Sequence, residues 1–431
     1  MENEPEQIAF YESDMIKDLI GALKGRAPAG LMASFRTAQI LFGIAALNQL
    51  SGFLDASLEG EDRRALIITD DFTEKFASQI SKELKKINMV SKVWSGVKPE
   101  GPFDTIEEAV KICEDFKPKI FVAIGGGSVI DTAKAVMIKY EKPETNLYMI
   151  LPFGSLGLRK KIKYLIAIPT TSGTGSEVTS AAMLTDINRD PPKKLALAHS
   201  ELVPDFAVLI TDFVKDMPPF LTMATGLDAL AHAAGAYVSS WGNPLTDAMN
   251  IYAIKEIITY LPRAYKYGAK DIEARLHMQL AALMAGLGFS NSRVGIDHAL
   301  GHSLGKICRV HHGLCVGMFL PYTIAFQAKI SERWKDLCPL FRIDSKNKDN
   351  DELFIEFLQN VKNFIYSLDG PVCVKEIKNP VINEKEYHKN LDLLVNYAEN
   401  DAVALLSSRY IDKEILKRMF EYAWDGRTID F

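Results

Sequence analysis

Histidine is scarce in this 431-residue chain, and half of its eight histidines fall between residues 298 and 312: His298, His302, His311 and His312. Upstream, Asp228 and His232 stand four apart in an alanine-rich stretch (GLDALAHAAG), so a helix there carries both side chains on one face. His298 and His302 repeat that spacing in GIDHALGHSLG, and His311-His312 form an HHG loop before Leu314–Leu320. A single histidine at such a place is more often a core or capping residue. Two i,i+4 pairs with a loop histidine point instead to a metal, and one carboxylate among imidazoles is a donor set that suits Fe2+ or Zn2+. The five cysteines (Cys113, Cys308, Cys315, Cys338 and Cys373) are scattered without a CxxC pair. That argues against a structural zinc ribbon and against a disulfide framework. Spacing alone does not choose the ligands among the four clustered histidines.

Two further segments suit a phosphorylated ligand. Gly125-Gly126-Gly127-Ser128 follows a β-branched apolar run, Ile120–Ile124, and precedes a helical stretch over Val129–Lys139. Glycines admit a phosphate close to the backbone, and the first turn of a helix offers it N–H groups and a favourable dipole. The pattern is neither GxGxxG nor a Walker loop, and its bland reading is a tight strand–helix turn. The second segment, Pro169–Glu177 (PTTSGTGSE), also follows a strand and brings several hydroxyls; its bland reading is a Ser/Thr turn leading into a helix cap. Asp70 ends the run Ala65–Thr69. An acid at the end of an early strand accepts hydrogen bonds from an adenosine ribose and repels a 2′-phosphate, favouring NAD over NADP, unless it merely caps the next helix.

These side chains need elements to hold them. The length suggests two domains, and the balance of 48% hydrophobic and 24% charged residues is that of a globular protein. A net charge of −5 lacks the basic stripe of a nucleic-acid binder. No apolar run reaches the ~18–20 residues that cross a bilayer, and the polar start MENEPEQ is unlike a secretory signal. A reducing cytoplasm is therefore the expected location. Residues 1–40 read as an N-terminal extension, with a helical pattern around Met15–Leu23. Residues 41–215 alternate short apolar strands with helices, the pattern of βαβ units on a parallel sheet. Strands are expected at Ala65–Thr69, Val90–Trp94, Ile120–Ile124 and Ile162–Ile168, and helices at Phe72–Lys86 and Thr105–Phe116. Shorter strands follow at Ala181–Thr185, Lys194–Ala198 and Phe206–Ile210. Residues 216–431 read as helical nearly throughout, with a hinge near 212–218. The fold class is thus α/β followed by all-α.

Four motifs, GGGSVIDTAK (125–134), PTTSGTGSEVT (169–179), TGLDALAHA (225–233) and GFSNSRVGIDHALGHSLG…HHG (288–313), closely resemble those of the iron-dependent, or group III, alcohol dehydrogenases. The resemblance runs from about residue 40 to the C-terminus. It implies a Rossmann-like domain, a helical domain, and a cleft between them for NAD(P) and one divalent metal. By motif, the metal ligands are Asp228, His232, His298 and His312, the last chosen by its register with the following glycine. His302 then becomes the catalytic neighbour of nicotinamide and substrate. Gly126, Gly127 and Ser128 meet the pyrophosphate, and Asp131 follows in the same motif. Thr170, Thr171, Thr174 and Thr179 line the cofactor groove. Lys194 reaches the nucleotide, and Asp70 matches the acid that favours NAD. The first 40 residues have no counterpart in compact members. Gly235 stands where an acid usually closes the DALTHAIE-type motif, and His311 stands where a proline is common.

The activity so implied is an NAD-linked alcohol dehydrogenase, with Fe2+ or alternatively Zn2+ polarising the oxygen of a small alcohol, aldehyde or ketone. A homodimer or higher homo-oligomer is expected, without nucleic-acid or membrane partners. Phe153–Leu158 and Phe289 are expected near the substrate, which the sequence does not identify. The rival within the fold is a lyase of the dehydroquinate synthase kind, suggested by Arg293, Lys306 and Arg309 near the metal motif. A zinc glycerol-dehydrogenase-like enzyme and a non-catalytic subunit that keeps the fold are weaker rivals, the first because the four-ligand pattern fits it less well and the second because the ligand set is complete.

Overall fold

The computed structural model describes residues 35–60, 62–99, 101–189, 193–239, 241–404 and 407–431, together with residues 9, 12 and 13. The helix expected around Met15–Leu23 lies outside the described residues, as does most of the segment 1–40. The chain divides into two compact units: Arg36–Thr171 with Gly175–Asp216, and Ser172–Thr174 with Met217–Phe431.

The first unit runs β1 (Gln39–Phe42), α1 (Ala46–Ser57), β2 (Arg64–Ile68), α2 (Glu74–Lys86), β3 (Val90–Trp94), α3 (Phe103–Phe116), β4 (Ile120–Gly125) and α4 (Gly127–Glu141). It continues through β5 (Tyr164–Pro169), an antiparallel hairpin of β6 (Ala181–Asp186) and β7 (Lys193–Ala198), β8 (Phe206–Leu209) and the short α5 (Thr211–Val214). The other six strands form one parallel sheet in the order β1-β8-β5-β4-β2-β3. Its inner strands are apolar runs rather than alternating ones, and β4 and β8 are buried at every position. That is what a parallel sheet covered on both faces requires. The expected α/β pattern is therefore realised, with element ends shifted by one or two residues and one strand and helix that were not expected. Helix α4 begins at Gly127 rather than Val129, because Gly126 already serves as its N-cap. Strand β1 and helix α1 had no separate signal: of the four residues of β1, only Leu41 is buried.

The strand order places the motifs. From β2 the chain goes outward to β3 and then returns to β4 on the other side of β2. The crevice at the carboxyl ends of strands flanking such a reversal is where open parallel sheets bind ligands. Asp70 leaves the end of β2, and the glycine turn leaves the end of β4. Gly125 pairs in register with Pro169 of β5, so the two motif loops start side by side.

The second unit is helical: α6 (Pro219–Val238), α7 (Pro244–Tyr267), α8 (Ile272–Ser290), α9 (Asp297–Cys308), α10 (His312–Gln327), α11 (Asn350–Tyr366), α12 (Glu384–Lys389), α13 (Leu391–Glu399) and α14 (Lys413–Asp425). Capping decides where several begin. Asn243 accepts the amides of Leu245 and Thr246 ahead of α7, and Asp349 accepts those of Asp351 and Glu352 ahead of α11. Helix α6 is buried from Thr222 to Val238. Its small residues, and those facing it, let helices approach until backbones touch. A Cβ on Gly313 would stand 2.2 Å from the Ala224 carbonyl oxygen and 3.1 Å from Asp228 Cβ. Among the described residues, no helix is long and apolar enough to cross a membrane.

Candidate metal centre and nucleotide turn

Helix α6 presents Asp228 and His232 one turn apart, and the Asp228 carboxylate is the hub of the cluster. Asp228 Oδ1 lies 3.7 Å from His232 Nε2, 3.9 Å from His298 Nε2 and 3.5 Å from His312 Nε2. One ligand atom each from Asp228, His298 and His312 all lie within 4.8 Å of one another. Tetrahedral ligands sharing an ion at about 2.1 Å stand about 3.4 Å apart, so these three stand wider than a closed site, and His232, though 3.7 Å from Asp228, is not part of that group of three. The rest of the site fits a metal too. His298 is 3% exposed, and its Nδ1 is paired with Asp297 Oδ2 at 3.1 Å. Its Nε2 is buried without a hydrogen-bond partner. A carboxylate that takes the far N–H of an imidazole, leaving the other nitrogen's lone pair for an ion, is the usual partner of a metal-bound histidine.

The rings pack as a layer. His232 stacks on Phe289 at 4.1 Å and on His298 at 4.6 Å, and His302 stacks on His312 at 4.9 Å between centroids. Burial holds the His232 pKa well below its ordinary value, with the His298 charge adding to the effect, so a neutral ligand is favoured there. Burial pulls His298 the same way, but Asp297, Asp228 and Asp401 outweigh it and the net shift is upward. Of the neighbouring pair, the structure brings His312 to Asp228, while His311 is exposed and lies edge-on to Phe220 at 5.7 Å. Gly235 also gains a reason. A Cβ there would lie 3.0 Å from Asp297 Oδ1 and 3.1 Å from the Gly295 nitrogen, so the missing side chain admits the Gly295 turn and the Asp297 carboxylate at the start of α9.

His302 is not drawn to the Asp228 hub. Its Nδ1 lies 2.8 Å from Asp401 Oδ2. Burial raises the Asp401 carboxyl, but the His302 charge, its hydrogen bond and the Val403 amide together carry it below the ordinary range. Neither Asp297 nor Asp401 was expected from the sequence. Asp297 adjoins a ligand and carried a signal in hindsight. Asp401 comes 99 residues after His302 in an ordinary loop, and nothing local marks it.

In the sheet unit, Gly126 caps α4 in an extended conformation (φ −75°, ψ −170°) without a side-chain cap. The amides of Gly127 and Ser128 thus head the helix, where no intrahelical acceptor exists. Thr170 is buried and its amide donates to Gly125 at 3.0 Å; Thr171 is half-buried and lies beside Gly126. Thr174 is half-buried and belongs to the short segment that clusters with the helical unit. Lys194 is half-buried on β7, opposite Thr185. Asp70 Oδ1 accepts the amides of Phe72 and Thr73 and the Thr73 hydroxyl, at 2.7–3.0 Å, so this oxygen organises its own turn.

Asp131 and Thr179 sit in a buried polar knot whose centre the sequence did not reveal. Lys134, wholly buried, places Nζ 2.6–3.1 Å from the carbonyls of Ser176, Thr179 and Ala181 and the hydroxyls of Ser176 and Thr179. Asp131 accepts the Ser176 hydroxyl and, at 2.9 Å, the Met183 amide, with Lys134 Nζ 3.7 Å away. Burial depresses Lys134 to about 8 against the pull of Asp131, and burial lifts Glu177 to about 7. The knot stitches the second motif loop to α4. Of the residues expected near the substrate, Phe289 lies on His232, Phe153 is exposed, and the amides of Leu156, Gly157 and Leu158 are gathered by the Glu201 carboxylate.

Comparison with known proteins agrees across the chain's length. The model described as iron-containing alcohol dehydrogenase matches residues 37–211, and that of the Fe-containing alcohol dehydrogenase family, C-terminal, matches residues 222–424. The chain is 34% identical over 397 residues to the NADPH-dependent butanol dehydrogenase of Clostridium saccharobutylicum, covering 91% of this chain and 98% of that protein. It is 35% identical over 268 residues to the NAD-dependent methanol dehydrogenase of Bacillus methanolicus, covering 61% of this chain and 68% of that one. The solved structure of the iron-containing alcohol dehydrogenase from Thermococcus thioreducens matches with a TM-score of 0.80 at 29% identity, covering 92% of this chain and 100% of that chain. With family models matching from residue 37 almost to the C-terminus, this chain belongs to the iron-containing alcohol dehydrogenase family.

Proposed function

We propose that this chain transfers a hydride reversibly between NAD(H) and a small alcohol or its carbonyl product, with one divalent ion, Fe2+ or Zn2+, held by Asp228, His232, His298 and His312. The observation that carries the reading is the convergence of three imidazole Nε2 atoms, at 3.5–3.9 Å, on one carboxylate oxygen. When bound, the ion supplies Lewis-acid polarisation of the substrate oxygen and the nicotinamide gives or takes the hydride.

The chain's own residues do the rest. Asp297 holds the His298 tautomer, and Phe289 keeps the His232 ring in its plane. Gly126, Gly127 and Ser128 receive the pyrophosphate at the head of α4. Asp131 acts one step removed, with Lys134, by fixing the loop from which Thr170, Thr171, Thr174 and Thr179 line the groove. Lys194 reaches the nucleotide. Asp70 repels a 2′-phosphate and so favours NAD. His302 takes up the proton that alcohol oxidation releases and returns it on reduction. A reducing cytoplasm and a homo-oligomeric assembly belong to the same proposal.

The test is a purified chain stripped of metal, reloaded with Fe2+ or Zn2+, and assayed on a panel of alcohols and aldehydes with NAD(H) and NADP(H). Metal-dependent turnover that is faster with NAD(H) is the expected result. Absence of turnover with every metal and cofactor overturns the reading, and a preference for NADP(H) overturns the role given to Asp70.

A further inference from the structure

An imidazole that exchanges a proton with substrate must present one chosen nitrogen in one tautomer. A helix backbone does not supply that choice. His302 leaves α9 one turn beyond His298, and stacking on His312 at 4.9 Å sets the plane of its ring. Stacking alone does not say which nitrogen carries the proton. Asp401 does. Its Oδ2 lies 2.8 Å from His302 Nδ1, and its Oδ1 accepts the Val403 amide at 2.8 Å. A carboxylate accepts only, so Nδ1 is the donor, and in the neutral ring Nε2 is then the accepting nitrogen. Both side chains are largely buried, at 10% and 14% exposure, so the geometry is shielded from water. The platform under Asp401 is tied down as well: the Ser303 hydroxyl, next along α9, donates to the Leu394 carbonyl of α13 at 2.6 Å, and α13 ends at Glu399.

We infer that Asp401 is a positioning residue of this enzyme, holding His302 as the Nδ1–H tautomer so that Nε2 takes the proton of the alcohol hydroxyl. The inference rests on the functional reading above. The step balances: the carbinol carbon gives its hydride to NAD+, the hydroxyl proton passes to Nε2, and carbonyl, NADH and an imidazolium facing Asp401 result. Reduction runs the same transfers backwards.

Asp401→Asn is the decisive variant, because it keeps the shape of the side chain. Its single carbonyl oxygen can satisfy only one of the two donors. The Val403 amide cannot become an acceptor, whereas His302 can change tautomer, so the Asn NH2 turns to Nδ1 and the proton is forced onto Nε2. The expected result is a kcat lower by about 10–100-fold. Metal content by elemental analysis, melting temperature and KM for NAD+ stay at wild-type values. In a His302→Ala background the same substitution changes nothing further. Wild-type kcat in Asp401→Asn overturns the inference, as does a loss of equal size in the His302→Ala background, which marks a merely structural role. A wild-type chain without nicotinamide-linked turnover overturns the functional reading and the inference together.

Discussion

At the scale of single residues, two of the site's imidazoles, His298 and His302, take their orientation from carboxylates, Asp297 and Asp401. Replacing His298 with alanine removes a proposed ligand, so metal content and turnover are expected to fall together; full metal content and full turnover in that variant would contradict the assignment. Asp297→Ala leaves every ligand in place but frees the His298 ring, and metal affinity is expected to drop about 10–100-fold by titration. Glu177 gives a prediction of a different kind. Burial lifts its folded-state pKa to about 7 from an ordinary 4.5, so between those values the folded chain binds more protons than the unfolded one. The stability this contributes is complete below pH ~4.5 and is lost as pH rises through ~7. Urea denaturation should show Glu177→Gln gaining on the wild type across that window, by at most about 3 kcal/mol. Much of this chemistry was legible beforehand. Asp228, His232 and His298 announce themselves because the helix period turns a spacing of four into a shared face. The choice between His311 and His312 depends on where α10 begins, which the spacing does not contain. Lys134 was invisible because a lysine in a helical stretch ordinarily points to water, and Asp401 because its partner lies in a distant part of the chain.

At the scale of elements, helix approach distances decide whether the ligands meet. Gly313 directly follows a ligand and faces the Ala224 carbonyl, so its substitution acts on packing and on the site at once. Gly313→Ala is expected to force α10 away from α6, costing about 1–3 kcal/mol by denaturation and weakening the metal in the same variant. A destabilised variant with unchanged metal affinity would show that the helix pair can shift without moving Asp228 or His312. The strands β2, β4 and β5 were readable because a parallel sheet buried on both faces leaves uninterrupted apolar runs. The same rule hid β1, an edge strand with one buried residue, and α1 after it. Helix ends were less readable than helices: the start of α4 turned on Gly126, which a search for periodic apolar residues passes over.

At the scale of the whole molecule, metal and nucleotide are proposed as two separate ligands, and each should stabilise the chain on its own. With the proposed ligands, metal binds only the folded helical unit, so at a free concentration a hundredfold above Kd it is expected to stabilise the chain by about 2.7 kcal/mol. Chelation is expected to lower the thermal midpoint accordingly, with NAD+ producing a separate shift; a midpoint indifferent to chelation would place the ion elsewhere. The order of the two halves, sheet first and helices after, was plain from the change in pattern near residue 215, and the family models span both.

The ligands of the metal also have a consequence in time. Asp228 and His232 share one helix, but His298 and His312 come from two others, so the proposed centre needs three helices packed together. An ion that needs all three is expected to bind late in folding, once those helices have met. Refolding followed by stopped-flow should proceed at the same rate with or without metal, while unfolding slows as metal is added. A centre of that kind would be a latch on a finished structure: its loss is expected to shorten the lifetime of the folded protein and to leave the folding rate unchanged.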